Sequence, residues 1–363
     1  TSLTVRQSMT LAGGSTITDL FLAADLTATA DLEIRGTSTW ESGTIDLGEN
    51  GTLDVTGLFT IEGSNDGDAL RRITGTNPFI NRATVFQRAD LDVGGGRIDN
   101  EPGAEWQLFE SDITANSADG TIVNRGKLIK KSGAAVGGFM SIAAFVEFSE
   151  GGTLDIEFGD VTLKRGALFK SDSTISTAFR DSQLHFSAVG GSGLYRVFSG
   201  KTVTVRGGSV FVDDGSIVNV ESNGKLEFEL ASVDIEGATI LGAGQLRCGE
   251  GCQTTWYSGA IGQSDVGAAS AHVVAAVTGS ITIREKAESA ASAIHALFGT
   301  MTVESSRAFV VQEVDLLVKG GLIDVQQGYW GMSTLGSTTT TGEDGGRIRI
   351  GPAARFVVGG INP

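Results

Sequence analysis

The sequence predicts an all-β protein, a single right-handed parallel β-helix (solenoid) of roughly 15 to 18 coils, because strand-like phrases recur about every 20 residues. Composition supports this prediction. The chain has 363 residues, of which 52 are glycine and 4 are proline, and 40% are hydrophobic. Disordered chains are more polar and helical bundles contain less glycine, so many short strands joined by turns fit this composition best.

The first recurring phrase is Gly, any residue, an aliphatic residue, Thr and a second aliphatic residue. It appears at 159–163, at 200–205 with one extra residue, at 279–283 and at 299–303. The starts of these phrases lie 41, 79 and 20 residues apart, close to two, four and one units of about 20 residues. We therefore expect one coil per repeat, with two or three strands in each coil.

A second phrase shows which side chains should be buried. GTLDV at 51–55 returns as GTLDI at 152–156. Aliphatic and polar residues alternate in both, which is the period of a strand that buries one face. We expect Leu53 and Val55 to point inward and Asp54 to point outward.

Asparagine recurs after pairs of mostly aliphatic residues, as Asn81, Asn100, Asn124 and Asn219. Asparagine tolerates left-handed backbone and bonds neighbouring peptide groups. At the same corner of successive coils these amides could stack into a ladder along the axis. The alternative is that each is an isolated turn residue, and the sequence leaves both open.

The predicted solenoid spans residues 1–363 as one domain with two interruptions. Near 284–298 alanines at helical spacing predict an irregular or short helical insertion. Near 337–346 a Thr-rich and Gly-rich run predicts an exposed loop. Right-handedness is expected from strand twist and from the preference for right-handed crossovers.

Charge and hydropathy exclude some partners. The formal net charge is −16, with 27 basic against 43 acidic residues, so nucleic acid is not an expected partner. No stretch approaches the roughly 18 to 20 consecutive apolar residues of a membrane span, so we expect no direct membrane insertion.

The two cysteines predict a local disulfide. Cys248 and Cys252 are separated by Gly249, Glu250 and Gly251, and the glycines would allow a tight loop that joins the sulfurs. A zinc site would need two further soft ligands, and two unpaired thiols in a turn are the other alternative. A disulfide indicates an extracellular or cell-surface location.

Candidate metal ligands are sparse. Asp66 and Asp68 lie close together in a turn-like segment and could ligate calcium, and Asp213 and Asp214 are adjacent carboxylates. Calcium takes about six to eight oxygen ligands, far more than either pair offers. We therefore expect no cofactor, with calcium the one cation that these residues could hold.

No catalytic residues can be assigned from the sequence. His185 lies between Leu184 and Phe186 and is interpreted as an outward strand position rather than a general base. The aromatic residues Trp40, Trp256 and Tyr257 could contact carbohydrate, since a flat ring suits the apolar face of a sugar. The alternative for the two tryptophans, which occupy matching repeat positions, is that they cover a corner of the core.

The phrases TWESGTI at 39–45, TWYSGAI at 255–261 and GTLDV at 51–55 resemble the pectate-lyase-like superfamily of right-handed parallel β-helices. Surface, adhesin and extracellular-matrix repeat proteins of that superfamily are the most similar type. The resemblance covers most of the chain and implies a scaffold more strongly than a chemistry.

We therefore expect an extracellular structural or adhesive scaffold, a subunit or segment of a surface fibre or appendage. Strand alternation at 1–5 and 355–358 suggests self-association end to end, other surface proteins being further candidate partners. The resemblance also implies the alternative, a carbohydrate-active β-helix enzyme such as a polysaccharide lyase, epimerase or hydrolase, or a glycan-binding module.

Overall fold

A computed structural model of the chain describes residues 1–358 apart from several short gaps. The gaps are 64–70, 110, 116–119, 133–137, 178–181, 189–192, 262–271, 277–278, 284–294, 298–299, 306–308, 313–315, 320–321, 333–339 and 344–345. The chain forms two compact units, Thr1–Ala178 and Phe179–Pro363. The predicted single domain over 1–363 stays a prediction.

Both units are parallel β-solenoids, which confirms the predicted fold class. The described residues form strands and turns and contain no helix. Within each unit the strands pair in parallel with strands of the next turn. A complete turn contributes a first and a second strand to one sheet and a third strand to another.

In the unit Thr1–Ala178, the long strand Ser38–Asp46 forms both the first and the second strand of its turn. The first strands are Ser2–Val5, Asp19–Ala23, Ser38–Asp46, Leu58–Ile61, Thr84–Gln87, Glu105–Phe109, Lys127–Lys131, Thr153–Ile156 and Ser173–Thr177. The other second strands are Met9–Leu11, Leu26–Ala28, Arg71–Thr74, Leu91–Asp92, Ile113–Thr114, Phe139–Ile142 and Asp160–Leu163. The third strands are Ser15–Ile17, Leu32–Ile34, Leu53–Val55, Pro78–Asn81, Arg97–Asn100, Thr121–Asn124, Phe145–Phe148 and Gly166–Phe169.

The unit Phe179–Pro363 repeats this arrangement. Its first strands are Thr202–Arg206, Lys225–Glu229, Gln245–Cys248, His272–Ala275 and Thr300–Val303, followed by Leu322–Met332 and Arg347–Val358, which also include the second strand. The other second strands are Gln183–Phe186, Ser209–Val212, Ser232–Ile235, Gln253–Trp256, Ser280–Ile283 and Phe309–Gln312. The third strands are Leu194–Val197, Ile217–Val220, Ala238–Leu241, Gly259–Ile261, His295–Leu297, Leu316–Lys319 and Thr340–Glu343.

The length of a turn is not constant at the predicted 20 residues. Ser15 pairs with Leu32, 17 residues later, whereas Ala260 pairs with Ala296, 36 residues later. The paired strands stay short in both cases, so the difference in turn length does not come from them. Connecting segments at the surface tolerate such insertions, while the paired strands do not.

Side-chain alternation builds the core as predicted. Leu53 and Val55 are fully buried, and Asp54 between them is half-buried on the outer face. The same pattern runs through most strands, so each turn adds aliphatic and aromatic side chains to an interior shared with its neighbours.

The asparagine ladder, one of the two alternatives that the sequence leaves open, is present in the first unit. The Asn81 amide donates to Asn100 Oδ1 and the Asn100 amide donates to Asn124 Oδ1, each at 2.8 Å. All three residues are fully buried, and Asn124 donates onward to the Thr153 carbonyl at 2.8 Å. Asn219 does not take part, because it lies between two inward positions and faces outward.

The ladder is one segment of a longer inward column of third-strand residues. Val55 pairs with Asn81 before it, and Asn124 pairs with Phe148 after it. Phe148 then stacks on Phe169 with ring centroids 5.0 Å apart and an interplanar angle of 11°. Parallel register therefore brings like side chains together, whether they are aliphatic, amide or aromatic.

Outward side chains on the same third strands and just after them form ion pairs between turns. Arg82 lies 3.0 Å from Asp54 and 3.9 Å from Glu101. Arg125 lies 3.0 Å from Glu101 and 3.6 Å from Asp99. Single exposed pairs contribute little, but an alternating network ties each turn to the next.

Glu147 belongs to this charged face and is partly buried. Partial burial raises the pKa of its carboxyl, but hydrogen bonds from Lys170 and Ser149, both at 2.7 Å from carboxylate oxygens, outweigh burial. Together with the charges of Lys170 and Arg97, they hold the pKa of Glu147 below its ordinary value. The ionised form is therefore favoured by the fold.

The two predicted interruptions differ in outcome. Of 284–298, residues 284–294 and 298 lie outside the described residues, and His295–Leu297 is a strand. In 337–346, Thr340–Glu343 is a strand paired with Leu316–Lys319, where an exposed loop was predicted. Thr341 and Gly342 are exposed as expected, but pairing with the preceding turn holds the backbone extended. The threonines there also have high strand propensity.

Asn100→Ala should lower the free energy of unfolding by about 2 to 4 kcal/mol, because buried groups of Asn81 and Asn124 lose their partner. Urea unfolding followed by circular dichroism measures this loss. The matched control is Asn219→Ala on the outer face, which should cost much less. Equal losses for the two variants would show that the ladder adds nothing beyond ordinary packing.

Glu147→Gln should make stability less sensitive to acid. Since the folded-state pKa of Glu147 is lowered, its contribution is present above the ordinary carboxyl value of 4.5 and is lost as the pH falls through the lowered value. The urea midpoint, measured from neutral to acidic pH, should therefore fall less steeply in the variant. The control Glu62→Gln removes a more exposed carboxylate, 3.7 Å from Arg88, and should change the slope less than Glu147→Gln does. Parallel curves for Glu147→Gln and wild type would contradict the assignment.

Candidate functional site

A groove in the second unit is the candidate functional site. It lies where first strands pass into second strands at three successive turns, and its volume is about 400 Å³. We call it the corner groove. It is lined by the polar side chains of Ser209, Ser232 and Gln253, by the apolar side chain of Leu230, and by Gly208 and Gly251.

A polar row forms one side of the corner groove. Ser209 pairs with Ser232, and Ser232 pairs with Gln253, so the three side chains stand in register on the outer face. Their backbone amides bond the neighbouring turn, for example from Ser232 to the Gly208 carbonyl at 3.0 Å. None of the three side chains has a hydrogen-bond partner among the described residues.

Leu230 forms the apolar wall of the corner groove. It is 61% exposed and has a φ of 53°, in the left-handed region that a bulky residue rarely adopts. Its backbone amide donates to the Glu250 carbonyl at 2.7 Å. A Cβ on Gly251 would lie 2.8 Å from Leu230 Cδ2, so the leucine covers a position that only glycine leaves open.

A disulfide closes the loop that contains Gly251, at the third of the three turns that line the corner groove. Cys248 and Cys252 lie at disulfide-bonding distance with Cα atoms 5.4 Å apart, as the sequence predicts. Both are fully buried, and the loop between them contains Gly251, with a φ of 63°. The cross-link therefore fixes the backbone on which Leu230 rests.

His185 forms a second polar cluster on the adjoining second strands. Its ring stacks on Phe211 with centroids 4.5 Å apart at 12°, and its Nε2 lies 3.2 Å from Gln183 Oε1. Its Nδ1 lies 3.6 Å from an oxygen of Asp213. The side chain is 22% exposed, which confirms the predicted outward position. The two residues are far apart in the sequence, and the fold brings them together.

Trp40 and Trp256 follow the alternative in which they cover a corner of the core, whereas a carbohydrate contact at Tyr257 stays a prediction. Trp40 is 0% exposed and Trp256 is 2% exposed, so neither ring offers a face to a sugar. Their Nε1 groups donate to the carbonyls of Ser42 at 2.9 Å and Ser258 at 2.8 Å. This shared geometry explains the repeated TWxSG phrase as a core corner. Tyr257 is half-buried.

The calcium prediction falls outside the described residues, because Asp66 and Asp68 lie in the gap at 64–70. In the part of the chain that the structure describes, no group of three or more His, Cys, Asp or Glu could hold a metal ion. The same residues include no helix long and apolar enough to cross a membrane.

Sequence reasoning missed the corner groove, although a signal for it exists. The segments 207–209, 230–232 and 251–253 each carry small residues just before or at the start of a second strand. They lie 23 and 21 residues apart, one turn each. A search for small residues at one repeat position would have found them.

Replacing Cys248 and Cys252 together by alanine should lower the free energy of unfolding by about 2 kcal/mol, the chain-entropy value for such a short loop. Urea unfolding with and without reductant measures the effect. Reductant should destabilise the wild type by a similar amount and leave the double variant unchanged. Two free thiols in the unfolded, unreduced chain, counted by mass spectrometry after alkylation, would contradict the pairing.

No protein family model, curated protein or solved structure matches the chain. The parallel β-solenoid is therefore assigned from its own strand pairing. The finer likeness to pectate-lyase-like surface proteins stays a prediction.

Proposed function

We propose that the chain is an extracellular structural or adhesive β-solenoid scaffold. The observation that carries the proposal is that side chains bond neighbouring turns together, in addition to the backbone hydrogen bonds. Buried amides join turns on the inside at Asn81, Asn100 and Asn124. Ion pairs join turns on the outside at Arg82 and Arg125. The stability of a solenoid depends on the interfaces between neighbouring turns, so such connections suit a protein that keeps its shape outside the cell.

The disulfide supports the extracellular part of the proposal. Cys248 and Cys252 are close enough to bond and are buried from solvent. Stable structural disulfides form in oxidising surroundings and are rare in the reducing cytosol. Secretion or surface display is the setting in which this pair would stabilise the fold.

Exposed apolar residues support self-association as the partner interaction. Ile348 and Ile350, in strand Arg347–Val358, are 45% and 50% exposed. They pair in register with Ile323 and Val325, which are fully buried. Core positions that face solvent favour contact with another strand, and a second copy of the chain or another surface protein would supply one.

The test is adhesion under flow. Beads coated with the chain should be retained on cell surfaces or polysaccharide films at shear that removes beads coated with a heat-unfolded sample of the same chain. Light scattering of the soluble chain should show a mass that rises with concentration. Absence of retention together with a constant monomeric mass would overturn the proposal.

The same preparation separates the scaffold from the carbohydrate-active enzyme. Polysaccharide solutions incubated with the chain should keep their viscosity and gain no new chain ends. A progressive loss of viscosity, abolished when the chain is unfolded by heat, would favour a lyase or hydrolase instead. A scaffold binds without turnover, so the two outcomes cannot be confused.

A further inference from the structure

We infer that the corner groove is a binding subsite for a neutral oligosaccharide. The inference rests on the adhesive form of the proposed function, for which it supplies a ligand class. It is carried by the polar row of Ser209, Ser232 and Gln253 beside the apolar wall of Leu230. A sugar offers both surfaces in one molecule, hydroxyl groups along its edge and C–H groups on its face.

The polar row matches hydroxyl groups chemically. Each serine can donate one hydrogen bond and accept two, and the Gln253 amide both donates and accepts. Sugar hydroxyls are also donors and acceptors, so every pairing along the row can be satisfied. Because these three side chains have no partner among the described residues, binding would break no internal hydrogen bond.

The spacing of the row favours a sugar over a peptide. Neighbouring strands lie about 4.8 Å apart, so Ser209, Ser232 and Gln253 present one polar group at each step of that size. An extended peptide advances roughly 3.3 Å per residue and falls out of step with the row. A pyranose unit is longer than a peptide residue and can place one ring near each polar group.

The surrounding charge favours a neutral ligand. No charged residue lines the corner groove. Glu229 and Glu250 are sequence neighbours of the lining residues Leu230 and Gly251, and Arg206 already donates to Glu229 at 3.0 Å. With a formal net charge of −16 for the chain, a uronic or sulfated sugar would be repelled.

The backbone and the exposure of Leu230 indicate that this side chain contributes little to the stability of the fold. A leucine in left-handed backbone, 61% exposed, gains little from burial and carries a conformational cost. Glycine would be less strained at the same position. Contact with the apolar face of a sugar would compensate for that cost when the ligand is bound.

The test is calorimetric titration of the full chain with cello-, xylo- and manno-oligosaccharides of four to six units and with an oligogalacturonate. At least one neutral oligosaccharide should bind saturably, and the anionic one should bind about tenfold more weakly or not at all. Ser232→Ala should weaken binding about fivefold, the equivalent of one hydrogen bond. Leu230→Gly should weaken it about tenfold through loss of apolar contact.

Two controls keep the result interpretable. Leu230→Gly should unfold at the same temperature as wild type or higher, because glycine accepts the φ of 53°, so lost binding cannot be attributed to unfolding. Ser222→Ala changes an exposed turn serine outside the corner groove and should leave affinity unchanged. No saturable binding of the neutral panel, or binding unaffected by Leu230→Gly and Ser232→Ala, would overturn the inference.

Failure of this inference is distinguishable from failure of the proposed function. If bead adhesion persists and no neutral oligosaccharide binds, the scaffold proposal stands and the corner groove is not its sugar site. If an oligosaccharide binds and both variants lose it, the subsite is supported even where beads are not retained.

Discussion

Parallel pairing of each strand with its equivalent one turn later is the constraint on which the rest of the structure depends. Backbone hydrogen bonds fix the spacing between turns at about 4.8 Å and place equivalent side chains directly above one another. Every inward position becomes a column of contacts, and every outward position becomes a row. The interactions of a side chain therefore depend on the residues at the same position in the adjacent turns. A residue acts with its partners in the adjacent turns more than with its neighbours in sequence.

The third-strand column that contains Val55, Asn81, Asn100, Asn124 and Phe148 shows how tolerant this arrangement is. An aliphatic residue, an amide run and an aromatic residue follow one another in the same interior. A lone buried amide would be costly, but in register each one supplies the partner of the next. Asparagines can enter this core because neighbouring turns supply hydrogen-bond partners that offset the cost of burial.

The corners are where the molecule can differ from turn to turn. The paired strands are short and keep their register, while the connections between them range widely in length. The corner groove depends on this freedom, because glycines and serines at three successive corners leave space. Leu230, whose backbone is in the left-handed region, forms one side. The disulfide at Cys248 and Cys252 fixes the corner beneath it. The proposed sugar contact in the corner groove involves exposed side chains outside the core of the solenoid.

The sequence alone determined the all-β parallel repeat and the inward positions of Leu53 and Val55, because both follow from local periodicity, and the short spacing of Cys248 and Cys252 favoured their pairing. It could not decide between core and surface for Trp40, since a corner tryptophan and a sugar platform share one phrase. Only the tertiary structure placed Ser209 beside its partners in later turns. Turn lengths vary, so register between distant segments is set by strand pairing, a long-range property that no local pattern encodes.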